Sequence, residues 1–282
     1  MNKSVTVVIP TYNRAEMLKR CIQSLCLQDY PREKFKVLII DDGSDDETKI
    51  IYHSFLEKLN IDYIYQKHQG TGAARRLGIE RAKTDLVAFI DDDCIASKSW
   101  LRQMTSRELG REVAAIGGLM KINNPKNIFE CFVNQNLFGN GQNWQPTSFD
   151  PPFITTGNSI FRRSLAKKIG NFDRSLVVGE DLDIGWRLYF EGYKFRYEPK
   201  AIVYHEAPKS FKDHLKKNFS YGRANARVTL KHARKIAQYR KNPPEKVRNI
   251  EKIITGLRPR FWDYLSSWAF RLGYYLEVGK RR

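Results

Sequence analysis

Residues Leu86-Val-Ala-Phe-Ile-Asp-Asp-Asp93 pass from five apolar side chains directly into three carboxylates. An apolar run of this length bounded by polar residues reads as a central strand, and the acids then stand where that strand emerges. Outward from it, further strands are read at Val5–Ile9, Lys36–Ile40, Asp62–Tyr65 and Val113–Lys121. The helix between the first two carries Leu18, Cys21, Ile22 and Leu25 on one face, with Asn13 and Glu16 placed like a capping box. Helices are also read at Asp45–Leu59, Gly72–Ala82 and Lys98–Leu109. This alternation is the pattern of an α/β fold with a mainly parallel sheet. Ligands of such sheets gather beyond the carboxyl ends of the strands, which directs attention to Pro10–Asn13, Asp41–Ser44 and Asp91–Asp93.

The pattern lapses from Asn123 to Pro152, a stretch of Asn, Gly, Gln and Pro that reads as a long loop or lid. A second ordered block follows, with a strand around Phe153–Phe161, a helix at Glu180–Glu191 and a strand near Phe195–His205. Beyond Pro208, the residues Phe211, Leu215, Phe219, Gly222, Ala226 and Leu230 recur at helical spacing beneath a basic face. The net charge is +18, and residues 206–282, with 20 Lys and Arg against 6 Asp and Glu, carry +14 of it. Two modules are therefore expected, residues 1–205 and a basic helical extension, residues 206–282. A basic tail suits nucleic acid, anionic lipid or an acidic substrate, and charge alone does not choose.

The 282 residues, 41% apolar, are enough for a generous core and exclude a small disulfide-stapled fold. Cys21, Cys26, Cys94 and Cys131 show neither C-x-x-C spacing nor a nearby histidine, so reduced thiols are expected rather than a zinc cluster. Ser4–Ile9 is too short for a signal h-region, and no stretch reaches the roughly 20 apolar residues of a membrane-spanning helix. A cytoplasmic protein is expected.

Three adjacent carboxylates repel one another unless a cation, a donor group or water compensates them. A hard divalent ion bridging to phosphate oxygens is a natural partner; a solvated acidic turn capping the next helix is the plain alternative. Asp91 and Asp93 share a face if the strand continues and part if the chain turns there. The second acidic point, Gly179-Glu180-Asp181-Leu182-Asp183, opens a helix, where acids suit the helix dipole. A carboxylate in that place is also suited to take a proton from an attacking hydroxyl.

Taken in order, Val7-Val-Ile-Pro-Thr-Tyr-Asn-Arg14, Val37-Leu-Ile-Ile-Asp-Asp-Gly-Ser-Asp45, Gly70–Gly78, Asp91-Asp92-Asp93, Gly157-Asn158, Gly179-Glu180-Asp181 and Pro199–His205 resemble the family 2 glycosyltransferases. These are inverting enzymes with the GT-A fold, a Rossmann-like, mainly parallel mixed sheet flanked by helices. The resemblance covers residues 5 to about 205, and its strength lies in the ordered set rather than in any one motif. It implies transfer of one sugar from a nucleotide-diphosphate donor, most often a UDP-sugar, to a hydroxyl acceptor with Mg²⁺ or Mn²⁺, as in cell-surface polysaccharide or glycolipid synthesis. Nucleotide-sugar binding would occupy residues 1–120 and the acceptor side 121–205.

Carried over by position, Pro10, Thr11, Tyr12 and Arg14 form the donor-nucleotide wall, Asp42 meets the base edge and Arg75 lies near base and phosphates. Asp91 and Asp92 stand on the donor side, Asp92 at ribose or metal. Asp93 and His205 resemble metal ligands, and Asp181 the catalytic base. Gly157, Asn158 and Glu180 fall on the acceptor side. Arg76 departs from the family, which often has Asn there. The Gln-x-x-Arg-Trp signature of processive synthases is absent beyond His205, where Lys216-Lys-Asn-Phe-Ser-Tyr-Gly222 stands, so single-sugar transfer is expected.

Two rival functions come from other classes. A metal-dependent nucleotidyltransferase accounts for the acidic triplet but gives Glu180-Asp181 no role. A nucleic-acid-binding protein accounts for the tail, which has aromatics but no RNA or DNA motif, so no nucleic acid partner is expected. Within the tail, Phe261, Leu265, Trp268, Leu272 and Leu276 form one helical stripe, widened by Trp262, Tyr264, Tyr274 and Tyr275. With Arg258, Arg260 and Lys280-Arg281-Arg282 flanking it, the stripe is expected to dock on the inner face of an anionic membrane, the alternative being that it packs against the catalytic domain or a second subunit. Asp263 and Arg271 forbid spanning.

Overall fold

The computed structural model describes residues 3–106, 109–134, 147, 150–208, 210–244 and 261–279, with the backbone alone at 132 and 261–266. In chain order, β1 (Val5–Thr11), α1 (Ala15–Cys26), β2 (Phe35–Asp41), α2 (Thr48–His53), β3 (Ile61–Tyr65), α3 (Thr71–Arg81) and β4 (Leu86–Ile90) form the alternating half. Next come β5 (Cys94–Ala96), α4 (Trp100–Thr105), β6 (Val113–Ile122), α5 (Ile128–Val133), β7 (Asn158–Arg162), α6 (Arg163–Lys168), α7 (Glu180–Phe190) and β8 (Lys194–His205). The extension contributes α8 (Phe211–Lys231), α9 (Ala233–Lys241) and α10 (Phe261–Gly279).

One eight-stranded sheet runs β3-β2-β1-β4-β7-β6-β8-β5. Strands β3, β2, β1 and β4 are parallel, β7 is antiparallel to both β4 and β6, and β5 is antiparallel to β8. The mixed α/β architecture agrees with the expected fold. Strands β1 and β4 are buried on both faces, as their unbroken apolar runs require. Leu18, Ile22, Trp100 and Leu101 pack on one face of the sheet, and Ala74, Ile79, Phe172, Ile184 and Leu188 on the other. Burying a side chain of this size contributes about 1.5–3 kcal/mol, so the sheet is a rigid platform for whatever its carboxyl edge presents.

Three local expectations are corrected. The capping box does not form: Asn13 adopts φ +52 and accepts from Asp45 N, while Asp46 Oδ2 caps the helix by accepting from Ala15 N. Residues Asp45–Leu59 are not one helix, since only Thr48–His53 is regular. The segment Asn123–Pro152 contains α5, whose start Asn127 caps by accepting from Glu130 N. Its residues 135–146, 148 and 149 lie outside the described residues.

The extension does not hang free. Leu182 and Trp186 of α7 share an apolar cluster with Val228 of α8 and Ile236 of α9. Helix α10 lies against α8 along Gly222 and Gly273: a Cβ on Gly222 would stand 1.9 Å from the Phe270 carbonyl oxygen, so only glycine lets the two backbones meet. Glu277, 5% exposed, closes this seam between Arg223 (2.9 Å) and Arg227 (2.7 Å). No helix among the described residues is long and apolar enough to cross a membrane.

Candidate active site

Strand β4 ends at Ile90 and the chain turns, with Cys94 N donating to the Asp91 carbonyl at 3.1 Å. The three carboxylates therefore stay at one strand end but meet different partners. Asp91 accepts from Arg75 Nη2 at 2.6 Å. Asp92, 4% exposed, accepts from Thr11 Oγ1 at 2.9 Å and Arg14 Nη1 at 3.0 Å. Asp93 accepts from the same Arg14 nitrogen at 3.2 Å and lies 3.5 Å from His205 Nε2. Burial pushes Asp92 up to about 6 against the pull of Arg14. Burial acts on Asp93 in the same direction, but His205, Arg14 and Lys217 outweigh it and hold that carboxyl below its ordinary value.

Helix α7 begins at Gly179, in the left-handed region at φ +88, and its first-turn acids part company. Glu180, 4% exposed, is bonded by Arg75 Nη1, so the guanidinium that holds Asp91 also holds the start of α7. Asp181 Oδ1 accepts from Leu182 N at 2.8 Å. Burial raises its pKa, with Arg75 opposing and the Asp91 charge adding to the rise. Asp183, fully buried, faces away to Arg187 (2.7 Å), Lys231 (2.7 Å) and His232 (2.8 Å). The α8 end thus braces the helix that carries Asp181.

Of the residues expected at a nucleotide wall, Pro10 and Thr11 end β1 in register with Ile40 and Asp41 of β2. Tyr12, 43% exposed, stacks on His68 with ring centroids 4.1 Å apart. The Asp42 carboxylate accepts from Gln69 N at 2.9 Å, Gly70 N at 2.7 Å and Gln66 Nε2, tying down the loop before α3. Arg76 donates to the carbonyls of Gly170 and Phe172, which is what an arginine does here in place of the family's frequent Asn.

The acceptor-side expectation needs revision. Asn158 has no exposed surface: its Oδ1 accepts from Trp100 Nε1 at 2.8 Å and its Nδ2 donates to Leu119 O and Ala201 O, both at 2.9 Å. It cross-links the sheet and cannot reach an acceptor. Glu180 likewise spends its carboxylate on Arg75 rather than on the cleft. Gly157 does border the site, because a Cβ there would come within 2.9 Å of Asp91 Oδ2.

Two residues of α8 enter unannounced. Lys217 is one of the charges that lower Asp93. Tyr221, 46% exposed, has its pKa raised by burial and then by the charges of Asp181, Asp91, Asp93 and Glu180. The sequence signal for both is a helical register, Lys217 and Tyr221 at i and i+4, hidden among tail lysines. A third is Cys94, whose sulfur, the Asp93 carboxylate and a His205 ring nitrogen lie within 4.8 Å of one another. The absence of a nearby histidine in sequence was misleading, because β5 and β8 pair Cys94 directly with His205. Oxygen and nitrogen donors converging on a negatively charged strand end fit a divalent cation, which Asp93 and His205 could hold.

A model of "Glycosyl transferase family 2" matches residues 6–170. Glycosyltransferase AglE of Haloferax volcanii is 32% identical over 234 residues, covering 80% of this chain and 74% of that protein. The pre-mycofactocin glycosyltransferase of Mycobacterium tuberculosis is 28% identical over 242 residues, covering 84% of this chain, which spans 50% of that relative's length. Among solved structures, the mannosyltransferase PcManGT of Pyrobaculum calidifontis in complex with GDP-Man and Mn²⁺ superposes with a TM-score of 0.73 at 16% identity, over 100% of this chain and 89% of that one. At that identity the likeness is one of fold.

Proposed function

The chain belongs to glycosyltransferase family 2 and has the GT-A fold, and from that premise we propose that it is an inverting enzyme that moves a single sugar from a nucleotide-diphosphate donor, UDP-linked for preference, to a hydroxyl acceptor. The observation that carries this reading is Arg75, which joins Asp91 at the strand end to Glu180 at the start of α7. Through it, the diphosphate end of the site and the residue that takes the proton are held at one distance.

Residues 1–205 form the catalytic part. Tyr12 offers its face to the nucleobase, with Pro10, Thr11 and Asp42 shaping the wall around it. Asp91 and Asp92 sit on the ribose and diphosphate side, and Arg14 and Lys217 offset the negative charge there. Asp93 and His205 would hold Mg²⁺ or Mn²⁺, which when bound would offset charge on the departing diphosphate. Asp181 accepts the proton of the acceptor hydroxyl as that oxygen bonds to the anomeric carbon. The carbon–oxygen bond to the diphosphate breaks on the opposite face, inverting the centre. Gly157 borders the same space at Asp91. A nucleotidyltransferase would leave Asp181 without work, and a nucleic-acid binder would leave the whole strand edge without it.

The test is Asp181→Asn. Turnover should fall by at least about 10²-fold, the scale of general-base loss, with donor affinity kept. Nuclear magnetic resonance of the product made by the parent enzyme should show the anomeric configuration opposite to the donor's; retention would rule out direct displacement.

For the extension, residues 206–282, we propose docking on the cytoplasmic face of an anionic membrane that presents a lipid-linked or growing-polymer acceptor. Helix α10 buries Ala269, Gly273 and Glu277 against α8 and leaves Trp268, Leu272, Tyr275 and Leu276 exposed alongside. An aromatic and leucine face beside basic helices matches a headgroup surface. The side chains of Phe261, Trp262, Tyr264 and Leu265, and residues Arg258, Arg260 and Lys280–Arg282, lie outside the described residues. Co-sedimentation with anionic liposomes at low salt should retain the full chain, and Trp268→Ser with Leu272→Ser should release it. Indifference of the full chain to such liposomes would leave a soluble acceptor as the better reading.

A further inference from the structure

Cys94 is 1% exposed and sits at the register position opposite His205, between the acidic turn and the end of β8. Its Sγ is 3.7 Å from Asp93 Oδ1, and His205 Nε2 is 3.5 Å from the same oxygen. Donor atoms bound at about 2.0–2.3 Å around a tetrahedral ion stand roughly 3.3–3.8 Å from one another, so these two spacings are already those of ligands sharing one ion. The remaining edge of the triangle, sulfur to imidazole, falls within the 4.8 Å that bounds all three atoms. The other ring nitrogen of His205 meets the Glu206 carbonyl, a contact that fixes the ring and turns Nε2 toward Asp93. Two side chains from paired strands and one from the turn that leads into β5, at the edge of the sheet, are thus prearranged.

We propose that Cys94 is a third protein ligand at the cation position, so that the place Asp93 and His205 offer to Mg²⁺ or Mn²⁺ also takes, and holds more tightly, a thiophilic divalent ion, zinc or cobalt, through sulfur, nitrogen and oxygen together. The inference rests on reading Asp93 and His205 as cation holders and adds to it a ligand that changes which ion is preferred. Magnesium and manganese favour oxygen and gain little from sulfur, whereas zinc and cobalt gain a strong bond. In the binding step the sulfur–hydrogen bond breaks, the proton passes to solvent and the sulfur–metal bond forms, with no change of oxidation state. Three protein ligands leave a coordination position for a phosphate oxygen, the arrangement of open rather than closed zinc sites.

The experiment uses the full chain, stripped with chelator and kept reduced, in a Cys131→Ser background that removes the exposed thiol. Cobalt(II) is titrated with near-ultraviolet absorbance as readout, and manganese binding is followed in parallel by electron paramagnetic resonance. A sulfur-to-cobalt charge-transfer band saturating at one ion per chain, lost in Cys94→Ser, supports the proposal. So does zinc affinity, measured by competition with a chromogenic chelator, that falls at least about tenfold in Cys94→Ser while manganese affinity stays the same. Cobalt bound without that band in the unsubstituted site overturns the sulfur ligand and leaves the cation reading intact, and this spectrum decides even if Cys94→Ser misfolds. No binding of any of these ions, with UDP present or absent, overturns both.

Discussion

The acids that leave β4 and the acids that open α7 look alike in sequence and are used in opposite ways. Asp91, Asp92 and Asp93 stay together at one edge, each beside a nitrogen-bearing side chain from a different element: Arg75 from α3, Arg14 from the start of α1 and His205 from β8. Glu180, Asp181 and Asp183 are dealt out to three tasks, because successive helix positions face in different directions. Glu180 meets Arg75, Asp183 binds the extension, and Asp181 accepts from its neighbour's amide. On the proposed reading, the first, converging cluster serves a charged ligand and the second, diverging one leaves Asp181 to exchange a proton.

Breaking the converging cluster should have the largest effect. Asp93→Asn removes the carboxylate nearest His205, and steady-state assays should find turnover lower by on the order of 10³-fold, the scale for losing stabilisation of charge on a leaving group. Circular dichroism should remain that of the parent, since Asp93 is not a core residue. Full activity of this variant in chelator would remove the strand edge from the chemistry.

The diverging cluster predicts a separation between stability and rate. Burial opposes ionisation of Asp183, but His232, Arg187 and Lys231 hold it at about 2. Its folded pKa is depressed, so the stability it supplies is present above the ordinary aspartate range and is lost as pH falls toward 2. Asp183→Asn should cost about 2 kcal/mol at neutral pH in urea unfolding and should flatten that acid-side decline. An unchanged midpoint would mean that the extension does not brace α7.

A smaller effect sharpens the same contrast. Burial raises Asp181, and a base must be ionised to act, so kcat should fall as pH drops through a midpoint above the usual aspartate value of about 3.9. A rate profile still flat well below that value would sink the assignment of Asp181 as the base.

How far the sequence carries can be judged residue by residue. The strands β1, β2 and β4 are legible because a sheet covered on both faces needs unbroken apolar runs. The short β5 is not, since three residues carry too little pattern to be told from a turn, and with it goes the pairing of Cys94 with His205. Asn158 misleads because a buried amide satisfied by Trp100 and two carbonyls has the same letters beside it as one that meets substrate. Arg75 is legible as a site residue, but its partners 16 and 105 positions away are a product of folding alone. Lys217 and Tyr221 are lost for a different reason: in a tail of such charge, one more lysine carries no signal.

The division of labour between the two acidic stretches is tested most directly by calorimetric titration of UDP, with and without Mn²⁺, into the parent protein, Asp93→Asn and Asp181→Asn. The account predicts that Asp93→Asn loses the Mn²⁺-dependent gain in affinity, while Asp181→Asn binds UDP as the parent does and fails only in turnover. Loss of UDP affinity in Asp181→Asn equal to that in Asp93→Asn would contradict it, placing both acids on the donor and leaving the proton without an acceptor.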